Sequence, residues 1–491
     1  MSVSRDFVFF LVAAGASAQI GGFATQARSA TQSLQQGRYA DAEKQFQEAL
    51  VRCETSNCAE LPDILNGLAG LFYEVGRYRE AEPLLRRAIE MLKPDSDDKL
   101  LTAALSNLAA VCHVRGRLAE AQSLYAQAQS LQGNGPSVEA SKLLARRALL
   151  AQDMGDPRSA TELIQNALEG LTQSGSTETA EGAAVLATWA AIFEAQGNPE
   201  KAEEELKLAL AIRERISGPD HMSVADALNT LGVSYSHRSR WVDAERSLRR
   251  SVAILRMYPP SPALAASMNN LGSALRAQGR GKESESWIRQ AIATWELLLG
   301  PNHPNVAAGL TNLAVSLQAR GRYAEAAPLM ERALKIDEGN FPASHVRIGI
   351  DLSRAGALAK ARKHYSEAED LLRRADEILE GRLPATDQEI GAALLNLGDV
   401  LRFEKKFELS AKMYQRGLAV AYVAWGPQDA RLAPWLDGYA NVLRQQQHFA
   451  EAERVEAQAT KLRVTQILGA AGEPEGSPAG SADRPKKRSV R

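Results

Sequence analysis

A period dominates this chain. A turn residue with a small residue five places on recurs eleven times, and in eight copies a large residue stands two places after the turn. The series begins Gly37-Arg38-Tyr39…Ala42 and Gly76-Arg77-Tyr78…Ala81, and runs through Gly116…Ala121, Gly155…Ala160 and Gly197…Ala202. It continues as Ser239…Ala244, Gly279…Ser284 and Gly321…Ala326, and keeps register at Lys363…Ala368, Lys405…Ser410 and Gln447…Ala452. The spacing starts near 39 and settles at 42 residues in the second half. Periods of this size announce stacked supersecondary units rather than one central core.

Each unit reads as two amphipathic helices. In the clearest copy, Val306 to Lys335, Leu310, Leu313 and Leu317 share one helix face, and Ala326, Leu329 and Leu334 line the second. Gly321 stands where the chain must reverse, and glycine accepts the left-handed backbone that such a turn needs. Ala326 is small enough to let the helices approach closely.

These residues resemble the tetratricopeptide repeat. The 42-residue spacing and the links Gly300-Pro301-Asn302-His303-Pro304 and Gly218-Pro219-Asp220-His221 are similar to its kinesin-light-chain variety, with a fainter copy at Gly426-Pro427-Gln428-Asp429. The resemblance covers about residues 24 to 465. It implies an all-α fold, an α-solenoid built as a right-handed superhelix of about eleven helical hairpins, with the first helix of each lining the concave side. A fold of this kind does not by itself name a function.

Three segments are expected: a signal peptide over 1–18, the solenoid over 19–468 and a disordered basic tail over 469–491. Arg5, the apolar run Phe7 to Gly15 and Ala16-Ser17-Ala18 have the layout of a cleaved secretory signal. That points to export, periplasmic or secreted; the alternative is a frayed apolar N-terminus on a cytoplasmic chain. The apolar run is too short to span a bilayer, and stable membrane insertion is not expected. Gly, Ala, Glu, Pro and Ser dominate after Gly469, and Lys486-Lys487-Arg488 closes the tail.

Cys53 and Cys58 bracket a short link. In an exported chain they would close a small loop as a disulfide; otherwise they are two unpaired thiols. Cys112, among Leu108, Ala109 and Val111, reads as a small buried hydrophobe.

The net charge of -1 recruits no polyanion, and no basic stripe with aromatic platforms is present, so nucleic acid is not an expected partner. None of the usual catalytic or phosphate-binding motifs occurs. No catalytic residue, metal site or cofactor is expected. His221 and His303 recur in equivalent links and read as loop geometry repeated with the unit.

One polar row stands out. Nine places before the turn residue lie Asn107, Asn270, Asn312 and Asn396, with Thr230 in the same slot; one place earlier lie Asn66, Asn229 and Asn269. The family resemblance implies that such asparagines grip the main chain of a protein or peptide ligand, since a carboxamide both donates and accepts. The alternative is that they bond neighbouring helices and hold the array in register. Asp399 and Asn441 occupy matching groove slots, and His237 and Arg402 lie near first-helix ends. The function expected is a protein-interaction scaffold or adaptor. An architectural or oligomerising spacer, or a regulatory subunit of a separately encoded enzyme, are the alternatives.

Overall fold

The computed structural model describes residues 22–36, 38–92, 98–132 and 135–471. The expected signal segment and most of the tail lie outside them. Among the described residues are 22 α-helices, one short 3-10 turn and no strand. Consecutive helices pair into eleven hairpins, from α1 (Gly22–Gln35) with α2 (Tyr39–Ser56) to α21 (Ala433–Gln445) with α22 (Phe449–Ala471). The repeat period therefore corresponds one to one with hairpins. The last helix continues to Ala471, past the boundary expected at 468: Gly469-Ala470-Ala471 extends the helix, alanine being the best helix former.

Every described turn residue of the series has a left-handed backbone, from Gly76 at φ 76° to Gln447 at φ 64°. Each closes its first helix in the same way. The Gly76 amide donates to the Tyr73 carbonyl and the Arg77 amide to the Phe72 carbonyl, and the pattern repeats at every later turn. Ser239, Lys363, Lys405 and Gln447 adopt this conformation without being glycine. The small residue five places after the turn is fully buried in all eleven hairpins, including Ser284 and Ser410. Close packing extends to first helices: a Cβ on Gly272 would lie 2.5 Å from Ile288.

The chain divides into two compact units, residues 1–358 and 359–491, within α17 (Val346–Ala361). A single array over 19–468 was expected. The division falls in the hairpin where Ser353-Arg354-Ala355-Gly356 departs most from the repeat. In unit 1 the apolar core forms two large clusters, one from Ala30 to Ile192 and one from Ala190 to Leu358, each running through several hairpins. In unit 2 it centres on Leu395, Tyr414, Leu436 and Leu443, with a smaller group around Leu372, Leu397 and Leu401.

Two polar series tie successive hairpins together. The arginine after the turn reaches a glutamate on the second helix of the preceding hairpin: Arg77 to Glu43 at 2.8 Å, Arg280 to Glu245 at 2.7 Å and Arg322 to Glu285 at 2.7 Å. Burial pushes the Glu203 carboxyl up, but hydrogen bonds from Lys207, Arg238 and Tyr235 outweigh it and hold the group down at about 2. The second series sits in the links. Ser137, Thr179, His221, Ser261, His303, His345, Asp387 and Asp429 fall on nearly the same period. Each accepts a hydrogen bond from a backbone amide of the helical segment that follows. The recurring histidines are thus helix N-caps, a role that oxygen acceptors fill at the other positions.

Candidate protein-interaction surface

The first helices carry the asparagine row, and unit 1 uses it to connect neighbours. α3 (Leu61–Glu74), α5 (Asp98–Val114) and α7 (Val138–Asp153) are linked first. Asn107 is buried; its Nδ2 donates to Asn66 Oδ1 at 2.9 Å, and its Oδ1 accepts from Arg146 at 3.3 Å. Arg146 is itself buried and occupies the asparagine slot of the fourth hairpin.

The pattern resumes across α11 (Met222–His237), α13 (Pro262–Ala277) and α15 (Pro304–Gln318). Asn270 Nδ2 donates to Asn229 Oδ1 at 3.0 Å, and Asn312 Nδ2 donates to Asn269 Oδ1 at 3.1 Å. Asn229 and Asn269 are buried, whereas Asn270 and Asn312 are half-buried. Each carboxamide of the second kind spends a donor on its neighbour. The Oδ1 atoms of Asn270 and Asn312 make no hydrogen bond among the described residues and remain acceptors.

The row then changes chemistry. In the eighth and ninth hairpins Thr311 donates to Asp351 at 3.2 Å, and Asp351 also neighbours the buried Asp337. Burial pushes the Asp337 carboxyl up strongly; Asp351 reinforces this, while Arg347, 3.0 Å away, opposes it. Arg354 takes the asparagine slot.

Unit 2 places Asn396 and Asp399 on α19 (Gln388–Phe403). Lys360 Nζ donates to both, at 2.7 Å each. The Tyr414 hydroxyl donates to Asp399 at 2.5 Å, and Arg402 stands 3.4 Å from each of them. Asn396 Nδ2 returns to the Ala392 carbonyl of its own helix at 2.8 Å. Asn441 is exposed. Asn396, Asp399 and Arg402 therefore belong to one charged cluster, while Asn441 stands outside it.

Elsewhere, Cys53 and Cys58 are joined as a disulfide, their Cα atoms 5.0 Å apart, at the C-terminal end of α2. Cys112 is buried, which pushes its thiol up to about 12. His237 Nδ1 lies 3.4 Å from Glu194. No cluster of three or more His, Cys, Asp or Glu side chains suited to a metal ion occurs among the described residues. No described helix is long and apolar enough to cross a membrane. Reasoning from sequence overlooked Arg146, Arg354 and Lys360. The first two lie nine places before a turn, in the slot already identified, but their residue type hid them.

Sequence profiles described as tetratricopeptide repeat match residues 24–93, 181–257 and 263–339, and a second profile of the same description matches 66–139. No curated protein sequence matches the chain. Among solved structures, a Podosopora anserina putative kinesin light chain with nearly identical TPR-like repeats is 25% identical, covering 41% of this chain and 96% of that one at a TM-score of 0.36. BtubC (BKLC) from P. vanneervenii is 21% identical over 57% of this chain and 94% of that one, with a TM-score of 0.29. A Rap protein complexed with competence and sporulation factor is 12% identical, covers 75% of this chain and 99% of that one, and reaches a TM-score of 0.53, a likeness of fold. With repeat profiles over more than half of its length and eleven helical hairpins among the described residues, the chain belongs to the tetratricopeptide-repeat family.

Proposed function

We propose that the chain is a non-catalytic interaction scaffold that holds a protein or an extended peptide along the first helices of unit 1. The observation that carries this reading is the pair Asn270 and Asn312. Both are half-buried, both are fixed through Nδ2 to the preceding hairpin, and both keep Oδ1 as an acceptor. A held carboxamide with an open acceptor suits the backbone N–H of an extended chain whatever its side chains. Family membership supports the general role, since arrays of this kind bind protein or peptide partners.

We further propose that the protein is exported. The layout of residues 1–18 and the Cys53–Cys58 pairing support this, because structural disulfides persist in oxidising compartments.

The test is selection of binding peptides from a random library on the full chain, followed by titration of one peptide against variants. Asn270→Ala with Asn312→Ala should weaken binding at least about tenfold, equal to about 1.4 kcal/mol. Asn312→Asp keeps an acceptor and loses the bond to Asn269, so it should lower the melting temperature more than the affinity. Unchanged affinity in the folded alanine variant would show that these asparagines hold only the array.

A further inference from the structure

Two histidines do more than cap. His303 and His345 precede α15 and α17, 42 residues apart in equivalent links of unit 1. In each, Nδ1 accepts the amide two residues on, from Asn305 at 3.0 Å and from Arg347 at 3.2 Å. An Nδ1 that accepts leaves the proton on Nε2, so the far edge of each ring is a donor. Both far edges reach turns more than two hundred residues earlier in the chain. His345 Nε2 lies 3.2 Å from the Val114 carbonyl, beside Gly116. His303 turns its Nε2 to the Val75 backbone, buried and short of a full hydrogen bond, with its ring over Gly76.

The receiving turns are equivalent too. Gly76 and Gly116 share a left-handed backbone, at φ 76° and 75°, and close the second and third hairpins. A Cβ on Gly76 would lie 2.8 Å from the His303 ring, and one on Gly116 3.3 Å from that of His345. The turns at Gly155, Gly197 and Gly321 face open space. Phe341 stacks on His345 at 4.4 Å, and Arg347 lies over Phe341, which fixes the second ring from behind. Burial agrees with closure: every residue from Thr102 to His113 of α5 is buried, on all sides of the helix. A solenoid that remained open along this stretch would leave one side of such a helix wet.

We propose that unit 1 closes on itself through a double latch, with His303 seated on the Val75-Gly76 turn and His345 on the Val114-Gly116 turn. The latch fixes the diameter of the turn that the hairpins enclose. A partner seated on the inner faces between the two ends then enters along the axis or after the latch parts. The closure stands on its own contacts and holds whether or not Asn270 and Asn312 grip a peptide.

Aspartate separates the two tasks of these histidines. It caps the corresponding helical segments at Asp387 and Asp429, so it keeps the cap, but it has no donor for a carbonyl and sets a negative charge against one. The experiment places spin labels at Arg79→Cys and Glu331→Cys, both exposed, in the full chain and measures the distance distribution between them. The parent should give one narrow distance. His303→Asp with His345→Asp should give a longer, broader distribution at unchanged helix content. Gly76→Ala should move it the same way, because the methyl meets His303. Gly197→Ala has the same left-handed backbone and open space, so it should leave the distance alone. A double-aspartate distribution superimposable on the parent would overturn the latch. So would equal broadening by Gly76→Ala and Gly197→Ala.

Discussion

The slots that carry asparagine in unit 1 and the matching slots of unit 2 show two ways to join neighbouring first helices. Across α11, α13 and α15 the joints are neutral: one carboxamide donates to the next at 3.0 and 3.1 Å. In unit 2 the same job falls to an ammonium, with Lys360 gripping Asn396 and Asp399 at once. A neutral joint leaves acceptors open and adds no charge to the inner face. A charged joint uses its partners fully, and losing one member strands the others. One repeat slot thus joins neighbours while keeping an acceptor open in unit 1, and spends its partners on a charged joint in unit 2.

The comparison breaks most visibly at Lys360. Lys360→Ala removes the cation 2.7 Å from Asp399 and leaves only Arg402 at 3.4 Å, with 14% of that carboxylate side chain exposed. Stranding a poorly exposed charge costs roughly 3 kcal/mol, and the retained Arg402 makes that the upper bound here. Calorimetry should show unit 2 melting earlier while unit 1 is unchanged. Asn270→Ala removes a neutral bond and should cost only about 1 kcal/mol, read on the transition of unit 1.

Titration sharpens the contrast within unit 1. Burial, with Arg347 and Arg77 nearby, lowers His303 to about 4, whereas the unfolded chain takes up that proton near about 6.5. The folded form thus favours the neutral ring. Stability present above about 6.5 is lost as pH falls through about 4, by roughly 3 kcal/mol at most. His303→Asn keeps a capping side chain that does not titrate and should flatten this acid limb of melting temperature against pH. Asp337 has the opposite sign. Its raised folded pKa makes the protonated form the stable one, so its contribution is present at low pH and fades as pH rises through the folded value. Asp337→Asn should remove that loss, and its pH profile should then rise more steeply towards neutrality than the parent's.

The smallest effect belongs to the non-glycine turns. Lys363, Lys405 and Gln447 hold φ between 61° and 64° in unit 2, where a side chain is strained. Lys405→Gly should stabilise unit 2 by about 0.5–1 kcal/mol, measured as a shift in the denaturation midpoint. The reverse change in unit 1, Gly321→Lys, should cost a similar amount.

The hairpins were legible in the sequence because one short signature fixes three things together: where the helix stops, which residue is crowded and how far away the next copy lies. Gln447 sits in the same turn as Gly321 although it shares none of glycine's freedom, so register carried the assignment where residue type did not. The asparagine row was legible as a row. Its bonding was not, because whether Asn312 meets Asn269 depends on the rotation from one hairpin to the next, which accumulates from packing at positions such as Gly272 and Ile288. The meeting of His345 with Val114 was further out of reach. It depends on how many hairpins complete a turn, and no local pattern encodes that number.

The salt dependence of peptide binding tests the proposed neutral recognition in unit 1 most directly. A selected peptide is titrated into the full chain from about 50 mM to about 500 mM salt, a range over which screening removes most exposed charge attraction. Binding through the carboxamides of Asn270 and Asn312 predicts an affinity that changes less than about twofold and falls with their alanine variants. An affinity that collapses with salt, survives those variants and disappears with Lys360→Ala would place the ligand on the charged cluster of unit 2 and contradict the account.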